Sequence, residues 1–289
     1  SGREAYDKLW KRSIDEPDKF WAEIAEQYVT WFKKWDKVID YNFDIKKGPI
    51  YVKFFEGGKL NVSYNCLDRH LEKRANQVAI QWEGNEPGEE RAITYKQLHE
   101  EVCKFANVLK SKGVQKGDRV CLYMPMVPEL GIAALACSRI GAIHCIVFGG
   151  FSADALRDRI VNGGAKVLVV CDGTFRGNKA VPQKATADEA LKECPTIKSV
   201  IVVRRVGDKI KCDWVAGRDT WYDEELKNVN SLSLLNDLRI NYLGKKSKIQ
   251  EFSERLRDLS NEDKKEVGKA INDAKNYIEY SLNELRINL

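Results

Sequence analysis

Residues 119–171 read RVCLYMPMVPELGIAALACSRIGAIHCIVFGGFSADALRDRIVNGGAKVLVVC, and this stretch decides the predicted fold. The apolar runs at 119–123, 142–148 and 167–171 predict strands, because each is short and continuous. Between them, Pro128 begins one predicted helix, and Ser152 caps another that runs to about residue 161. Continuous apolar strands that alternate with helices indicate a parallel sheet covered on both faces.

The same alternation extends in both directions along the chain. Residues 78–82 predict a strand, and Thr94 with Gln97 forms a capping box for the helix that follows. Residues 187–194 and 200–203 predict a further helix and strand. We therefore expect a layered α/β domain with a mainly parallel sheet over residues 61–226, preceded at 1–60 by a tryptophan-rich helical extension packed on it.

The pattern changes after Leu226, where apolar residues recur at heptad spacing. One row with steps of seven consists of Leu235, Tyr242, Ile249 and Leu256. A second half continues at steps of four and three with Val267, Ile271, Ala274 and Ile278. Residues 260–263 between the halves predict a turn and a helix N-cap. Residues 227–289 are therefore predicted to form an antiparallel α-helical coiled-coil hairpin.

Composition and charge exclude several classes of protein. Hydrophobic residues make up 43% of the chain, enough for a sizeable core. No apolar run reaches the roughly 18 residues that a membrane helix needs, and the first residues do not resemble a secretory signal. The net charge of +5 is interspersed, so charge alone does not predict nucleic-acid binding.

The eight cysteines form no C-x-x-C pair, and most of them lie in apolar runs. This pattern favours buried, reduced thiols in a cytoplasmic protein, with zinc binding or disulfides as the alternatives. The three histidines lie far apart and are not paired with cysteines, so no metal site is predicted. His144 lies within an apolar run and is predicted to be a hydrogen-bonded core histidine.

Two segments that follow predicted strands, residues 148–152 and 172–179, are candidate binding sites. At Gly149-Gly150 the backbone can approach a ligand closely, and the helix N-terminus at Ser152 favours an anion. Ligands of open parallel sheets bind beyond such strand ends. At residues 176–179, Arg-Gly-Asn-Lys, two cations three positions apart could grip a phosphate. A tight turn and a solvated basic loop are the respective alternatives.

Other motifs point to binding rather than to catalysis. Lys245, Lys246 and Lys248 form a short basic cluster that could touch a phosphate backbone, with a solvated surface as the alternative. The sequence contains no Ser/His/Asp or Cys/His order with a supporting motif, and no G-x-x-x-x-G-K-[ST] loop. No catalytic residue is therefore predicted.

Residues from about 5 to 226 resemble the N-terminal part of AMP-forming acetyl-CoA synthetases. The resemblance rests on five motifs in the same order: NVSYNCLDRH at 61–70, WEGNEPG at 82–88, KGDRV at 116–120, YMPMVPE at 123–129 and HCIVFGGFS at 144–152. It implies a partial adenylate-forming fold. It also implies a reaction in which acetate and ATP give acetyl-adenylate and pyrophosphate, after which coenzyme A displaces AMP.

The resemblance also assigns the candidate ligand. Residues 176–179 match the CoA-binding segment of that family, which usually reads Arg-x-Gly-Arg, and the Gly149-Gly150 turn is similar to backbone bordering the CoA path. The implied coenzyme A contacts are therefore Gly149, Gly150, Arg176, Gly177, Asn178 and Lys179. Lys179 keeps the charge of the usual arginine but lacks its two-pronged geometry, so weak CoA binding is expected.

The departure from the family concerns adenylation. In acetyl-CoA synthetases a phosphate loop rich in Ser, Thr and Gly follows soon after the segment that ends near Tyr222, and the acetate pocket and a mobile C-terminal domain come later. None of these is recognisable here. ATP and Mg²⁺ are therefore expected only in a complete family member, and this chain alone is predicted to be inactive.

Residues from about 230 to 287 instead resemble the N-terminal helical arm of the phenylalanyl-tRNA synthetase alpha subunit. The motifs are RINYLGKK at 239–246, LSNEDKK at 259–265 and GKAIN at 268–272. The resemblance implies an antiparallel coiled coil that reaches toward tRNA, with catalysis in another domain.

Three interpretations follow: an inactive synthetase fragment joined to a helical arm, a module that binds CoA or tRNA weakly, and a purely structural protein. Truncation of an α/β domain also leaves sheet edge and apolar surface open, so self-association through exposed core surface is expected.

Overall fold

The computed structural model describes residues 2–245 and 247–287. Its first part contains two helices and an antiparallel hairpin, namely α1 (Arg3–Asp15), α2 (Pro17–Tyr28), β1 (Lys37–Asn42) and β2 (Tyr51–Glu56). Helix α2 has Pro17 at its start, where a missing N–H costs nothing. The hairpin was not predicted, because charged residues interrupt the apolar alternation in both strands.

Hydrogen bonds attach this first part to the α/β body. The amide of Asn65 donates to the carbonyl of Thr30 at 3.0 Å and accepts from its N–H at 2.7 Å. Arg69 donates to the carbonyl of Tyr28 at 2.6 Å. Side chains of the body thus satisfy the backbone where α2 ends.

The α/β body begins with α3 (Val62–Cys66) and α4 (Leu71–Arg74), followed by the antiparallel pair β3 (Val78–Glu83) and β4 (Glu90–Thr94). The predicted capping box starts α5: the Thr94 hydroxyl accepts from the N–H of Gln97 at 3.3 Å, and the N–H of Thr94 donates to the Gln97 side-chain oxygen at 2.9 Å. The remaining elements of the body are α5 (Tyr95–Ser111), β5 (Arg119–Met124), α6 (Pro128–Ile140), β6 (Ile143–Phe148), α7 (Ala153–Gly163), β7 (Val167–Cys171), β8 (Thr174–Arg176), β9 (Lys179–Val181), α8 (Gln183–Leu191), β10 (Ser199–Val203) and β11 (Asp219–Trp221).

The predicted parallel sheet is confirmed. Five strands pair in the order β11-β10-β7-β5-β6, and every neighbouring pair is parallel. Alternate residues of β5, β7 and β10 enter two separate buried clusters, one beneath α5 and α6 and the other beneath α7 and α8. The strands are apolar throughout because both of their faces are covered.

Strand β6 lies at one edge of this sheet, which corrects the prediction for His144. Its side chain is exposed and does not belong to the core. On the same side of the strand, Ile146 is 51% and Phe148 is 64% exposed, whereas Val147 on the other side is fully buried. The sequence pattern alone resembled a central strand. Self-association stays a prediction, and this apolar edge is the surface that it would use.

The C-terminal region differs in part from the predicted hairpin. It contains α9 (Tyr222–Leu243), α10 (Lys248–Arg255) and α11 (Asn261–Ile287), so the first predicted helix is interrupted. The break falls at Gly244, where a Cβ atom would lie 2.2 Å from the carbonyl oxygen of Ile240. Ser247 then caps α10, and Ser260 caps α11 as predicted, accepting from the N–H of Asp263 at 3.2 Å.

Helix α11 contacts both α9 and α10. Two polar contacts join the helices, from Lys275 Nζ to Ser253 Oγ at 3.3 Å and from Arg239 to Glu279 at 3.6 Å. However, Tyr242 (54%), which belongs to the predicted heptad row, and Phe252 (56%) on α10 are exposed. The antiparallel coiled coil therefore stays a prediction. Within the described residues, no helix is long and apolar enough to cross a membrane.

Candidate functional site

A cleft of about 330 Å³ lies beyond the carboxyl ends of β5, β6 and β7. Parallel strands bring their carboxyl ends to the same edge, which is the usual ligand position in open α/β sheets. The hairpin β3–β4 forms one wall, where the indole N–H of Trp82 donates to the carbonyl of Met126 at 2.8 Å. The hairpin β8–β9 contributes the opposite wall through Phe175 and Arg176.

Gly149 and Gly150, predicted as ligand contacts, line this cleft. A Cβ atom on Gly149 would lie 2.5 Å from Gln183 Nε2, which donates to the Gly149 carbonyl at 3.2 Å. A Cβ atom on Gly150 would lie 2.9 Å from the Phe148 ring and 3.3 Å from the Arg176 guanidinium. Both positions thus need glycine because side chains pack directly against the turn.

Helix α7 begins immediately after this turn. Ser152 caps it by accepting from the N–H of Ala155 at 3.3 Å, as predicted. The hydroxyl of Tyr123, at the end of β5, donates to the carbonyl of Phe151 at 2.7 Å. The C-terminal side of the glycine turn is therefore held by a helix cap and by a hydrogen bond from the neighbouring strand.

The predicted basic loop at residues 176–179 is the tip of an antiparallel hairpin. Arg176 pairs directly with Lys179, so their side chains leave the same face of the hairpin. Gly177 has a φ of +54°, and its carbonyl accepts from the Asn85 amide at 3.4 Å. Among the described residues, no carboxylate forms an ion pair with Arg176 or Lys179. Arg176 lines the cleft, whereas Asn178 and Lys179 are exposed outside its lining.

Sequence reasoning missed Arg205, which enters the cleft from the segment after β10. Its guanidinium lies 5.3 Å from the Trp82 ring centroid and 4.9 Å from that of Phe175. It also pairs with both carboxylate oxygens of Glu89, and this hydrogen bonding lowers the pKa of Glu89. Arg205 is thus a neutralised, stacked cation, and Arg176 is the cation in the cleft without an acidic partner among the described residues.

Asp172 organises the segment that carries Arg205. This buried side chain follows β7 directly, and its carboxylate accepts from four backbone N–H groups. The donors are Gly173 at 2.7 Å, Arg205 at 2.8 Å, Val206 at 3.0 Å and Gly207 at 2.9 Å. An aspartate directly after a buried strand and before a glycine was the only local signal for this role.

The predicted nucleic-acid residues lie elsewhere. Lys245 and Lys248 are exposed at the break between α9 and α10, and Lys246 lies outside the described residues. None of them lines the cleft. The structure thus brings Gly149, Gly150 and Arg176 together, with Gly177 held at the cleft rim.

Comparison with known proteins agrees with this geometry. The sequence matches the AMP-binding enzyme family over residues 67–238, which is more than half of the chain. The chain belongs to this family. Residues 6–66 match the acetyl-coenzyme A synthetase N-terminus, and residues 230–289 match the N-terminal domain of class II aminoacyl tRNA synthetases. The last two families therefore flank the AMP-binding match.

Individual relatives support the same assignment. The chain is 54% identical to acetyl-coenzyme A synthetases of Alkalilimnicola ehrlichii and Magnetococcus marinus, over 79% and 77% of its length and 35% and 34% of theirs. An acetoacetyl-CoA synthetase from Streptomyces lividans has a similar structure, with a TM-score of 0.66 and 26% identity over 75% of this chain and 32% of that one. The chain thus spans about a third of the length of these relatives.

Removal of the negative charge of Asp172 is expected to disrupt the segment that carries Arg205, and with it the cleft. Asp172→Asn leaves one acceptor oxygen and turns an amide donor toward backbone N–H groups. We expect the free energy of unfolding to fall by about 2–4 kcal/mol, because buried donors lose a charged acceptor. Urea unfolding followed by tryptophan fluorescence measures this change.

Asp208→Asn is the matched control, because Asp208 is exposed and lies next to the same segment. It should change stability by less than about 0.5 kcal/mol. Equal effects of the two substitutions would contradict the role of Asp172.

Proposed function

We propose that the cleft binds coenzyme A, as the CoA-side part of an AMP-forming acetate–CoA ligase. The supporting observation is Arg176, an arginine without a carboxylate partner among the described residues, beside the Gly149-Gly150 turn and aromatic side chains. The reaction of the complete enzyme converts acetate, ATP and coenzyme A to acetyl-CoA, AMP and pyrophosphate.

The cleft offers separate contacts for the phosphates and for the adenine ring of a nucleotide. Arg176 can present its fork to a phosphate, and Lys179 on the same hairpin face can add a second charge. The N-terminus of α7 beside Gly150 favours the same anion. Trp82, Phe148 and Phe175 line the cleft and offer flat apolar surfaces to an adenine ring.

Loss of the Arg176 fork is expected to weaken coenzyme A binding. Arg176→Ala should raise the dissociation constant about tenfold or more, since a charge-assisted hydrogen bond contributes about 1.5–3 kcal/mol. Arg176→Lys keeps the charge, so its dissociation constant should lie between those of wild type and Arg176→Ala. Lys179→Ala should raise the dissociation constant less than Arg176→Ala does. Isothermal titration calorimetry with coenzyme A measures each constant.

Lys198→Ala is the control, because Lys198 is an exposed lysine immediately before β10. It lies at the amino ends of the strands, away from the cleft at their carboxyl ends. Pantetheine, which lacks phosphates, should bind wild type and Arg176→Ala equally. Unchanged coenzyme A affinity in Arg176→Ala would refute the proposed contact.

We further propose that the 289-residue chain alone does not catalyse adenylation. Phosphoryl chemistry needs positioned cations and donors around the reacting phosphorus. The position where acetyl-CoA synthetases carry their phosphate loop is occupied here by residues that match a tRNA synthetase domain. In the cleft, Arg205 is already neutralised by Glu89.

Pyrophosphate release should therefore stay at the background rate with ATP, Mg²⁺, acetate and coenzyme A present. A coupled pyrophosphate assay measures the rate. The full-length acetyl-coenzyme A synthetase of Alkalilimnicola ehrlichii is the positive control. Acetate-dependent turnover by the 289-residue chain would show that the proposal is wrong.

A second candidate function concerns the C-terminal helices, because residues 230–289 match the N-terminal domain of class II aminoacyl tRNA synthetases. We propose that these residues form a helical arm, an antiparallel coiled-coil hairpin, that contacts tRNA weakly. Lys245 and Lys248 at the α9–α10 break are exposed and can approach a phosphate backbone. This binding would be independent of the coenzyme A cleft.

Neutralising the lysine cluster is expected to weaken tRNA binding and its salt dependence. The triple change Lys245→Gln, Lys246→Gln and Lys248→Gln should reduce the slope of log affinity against log salt by roughly one per lost phosphate contact. Gel shifts at several salt concentrations measure the slope. Lys192→Gln, an exposed lysine after α8, is the control. An unchanged slope in the triple variant would exclude the cluster from the interface.

A further inference from the structure

Two cysteines face each other across neighbouring strands of the central sheet. Cys121 on β5 is the direct register partner of Cys145 on β6. Neighbouring strands lie about 4.8 Å apart, within the roughly 4.4–6.8 Å between Cα atoms that a disulfide allows. Both side chains belong to the cluster beneath α7 that also contains Val147 and Leu156, so they lie on the same face of the sheet.

The two thiols differ in access. Cys121 is fully buried, whereas Cys145 is partly exposed on the edge strand. Among the described residues, no strand pairs with the free side of β6. A small reagent from solvent therefore reaches Cys145 before Cys121.

The surroundings of Cys145 favour its thiolate. Cys121 lies directly opposite Cys145 on the neighbouring strand, and Arg159 on α7 adds a positive charge. The Cys121 thiol, as a donor to the Cys145 thiolate, and the Arg159 charge lower the pKa of Cys145 to about 6, whereas the neighbouring sulfur and burial raise the pKa of Cys121. The exposed member of the pair is thus the nucleophile, since the thiolate is the reactive form.

We propose that Cys121 and Cys145 form a peroxide-sensitive dithiol, in which Cys145 is oxidised first and Cys121 resolves it. The Cys145 thiolate attacks a hydroperoxide, such as hydrogen peroxide. The O–O bond breaks, and with one proton the products are a sulfenic acid and water. The Cys121 sulfur then attacks the sulfenic sulfur, and its proton leaves with the hydroxyl group as a second water. Two thiols and one hydrogen peroxide thus give one disulfide and two waters.

The disulfide would tie the edge strand to the sheet. It would close the segment 121–145, which contains α6 and the cleft residues Pro125, Met126 and Val127. Strand β6 also leads directly into the Gly149-Gly150 turn. Oxidation would therefore fix residues 125–127 and the Gly149-Gly150 turn, which both line the cleft, relative to each other.

The test treats the reduced 289-residue chain with hydrogen peroxide and then alkylates the remaining thiols. Peptide mass spectrometry without reductant should find a Cys121–Cys145 linkage and six alkylated cysteines of the eight. Dimedone, which traps sulfenic acids, should label Cys145 in Cys121→Ala at least about tenfold faster than it labels Cys66. Cys121→Ala keeps the buried site apolar, and circular dichroism checks that it folds.

Cys66→Ser is the matched control, because Cys66 is the one cysteine classed as exposed among the described residues. This variant should still form the Cys121–Cys145 linkage. Cys145→Ser should abolish the linkage and leave Cys121 reduced. A linkage between any other pair, or dimedone labelling of Cys66 with Cys145 unlabelled, would overturn the proposal.

Discussion

Burial of strands β5, β7 and β10 on both faces is the constraint on which the rest of the structure depends. Each strand sends alternate side chains into two different clusters, and Val120, Leu122, Leu168 and Val169 have no exposed surface. Full burial of such side chains stabilises the fold by about 1.5–3 kcal/mol each. When both faces of a strand are covered, further strands can join the sheet only by pairing at its edges. The connecting helices cross over the faces of the sheet, so the strands run parallel and their carboxyl ends meet at one side. The cleft follows from that arrangement.

Local sequence could predict those parts of the site that depend on a strand end. Gly149-Gly150 directly follows β6 and Arg176 lies shortly after β7, and the carboxyl ends of these parallel strands meet at one side of the sheet. Arg205 could not be found in this way, because its partner Glu89 lies 116 positions earlier in the chain. Its stacking between Trp82 and Phe175 joins three segments that only the folded chain brings together. Asp172 lies between these cases, since its position was visible but its four backbone donors were not.

The position of a strand within the sheet was also invisible to the sequence pattern. Residues 142–148 are as apolar as the central strands, yet β6 lies at the edge and exposes His144, Ile146 and Phe148. Apolar character alone does not show which faces of a strand are covered. The same limit applies to the heptads after Leu226. Their spacing predicted two helices, while the first is interrupted at Gly244, where the backbone leaves no room for a Cβ atom beside the carbonyl of Ile240.

The AMP-binding match and the tRNA synthetase match meet inside helix α9, between residues 230 and 238. The α/β body holds the first turns of α9: Tyr222 is buried against Phe105, with ring centroids 4.8 Å apart, and Glu225 pairs with Lys112 at 2.6 Å. A helix that is anchored by packing at one end needs only backbone hydrogen bonds and adequate propensity to continue, because nucleation is its costly step. A junction within a helix therefore demands no new core. Segments that match two families can therefore share helix α9. The cleft is unaffected, because all of its lining residues, up to Arg205, precede this helix.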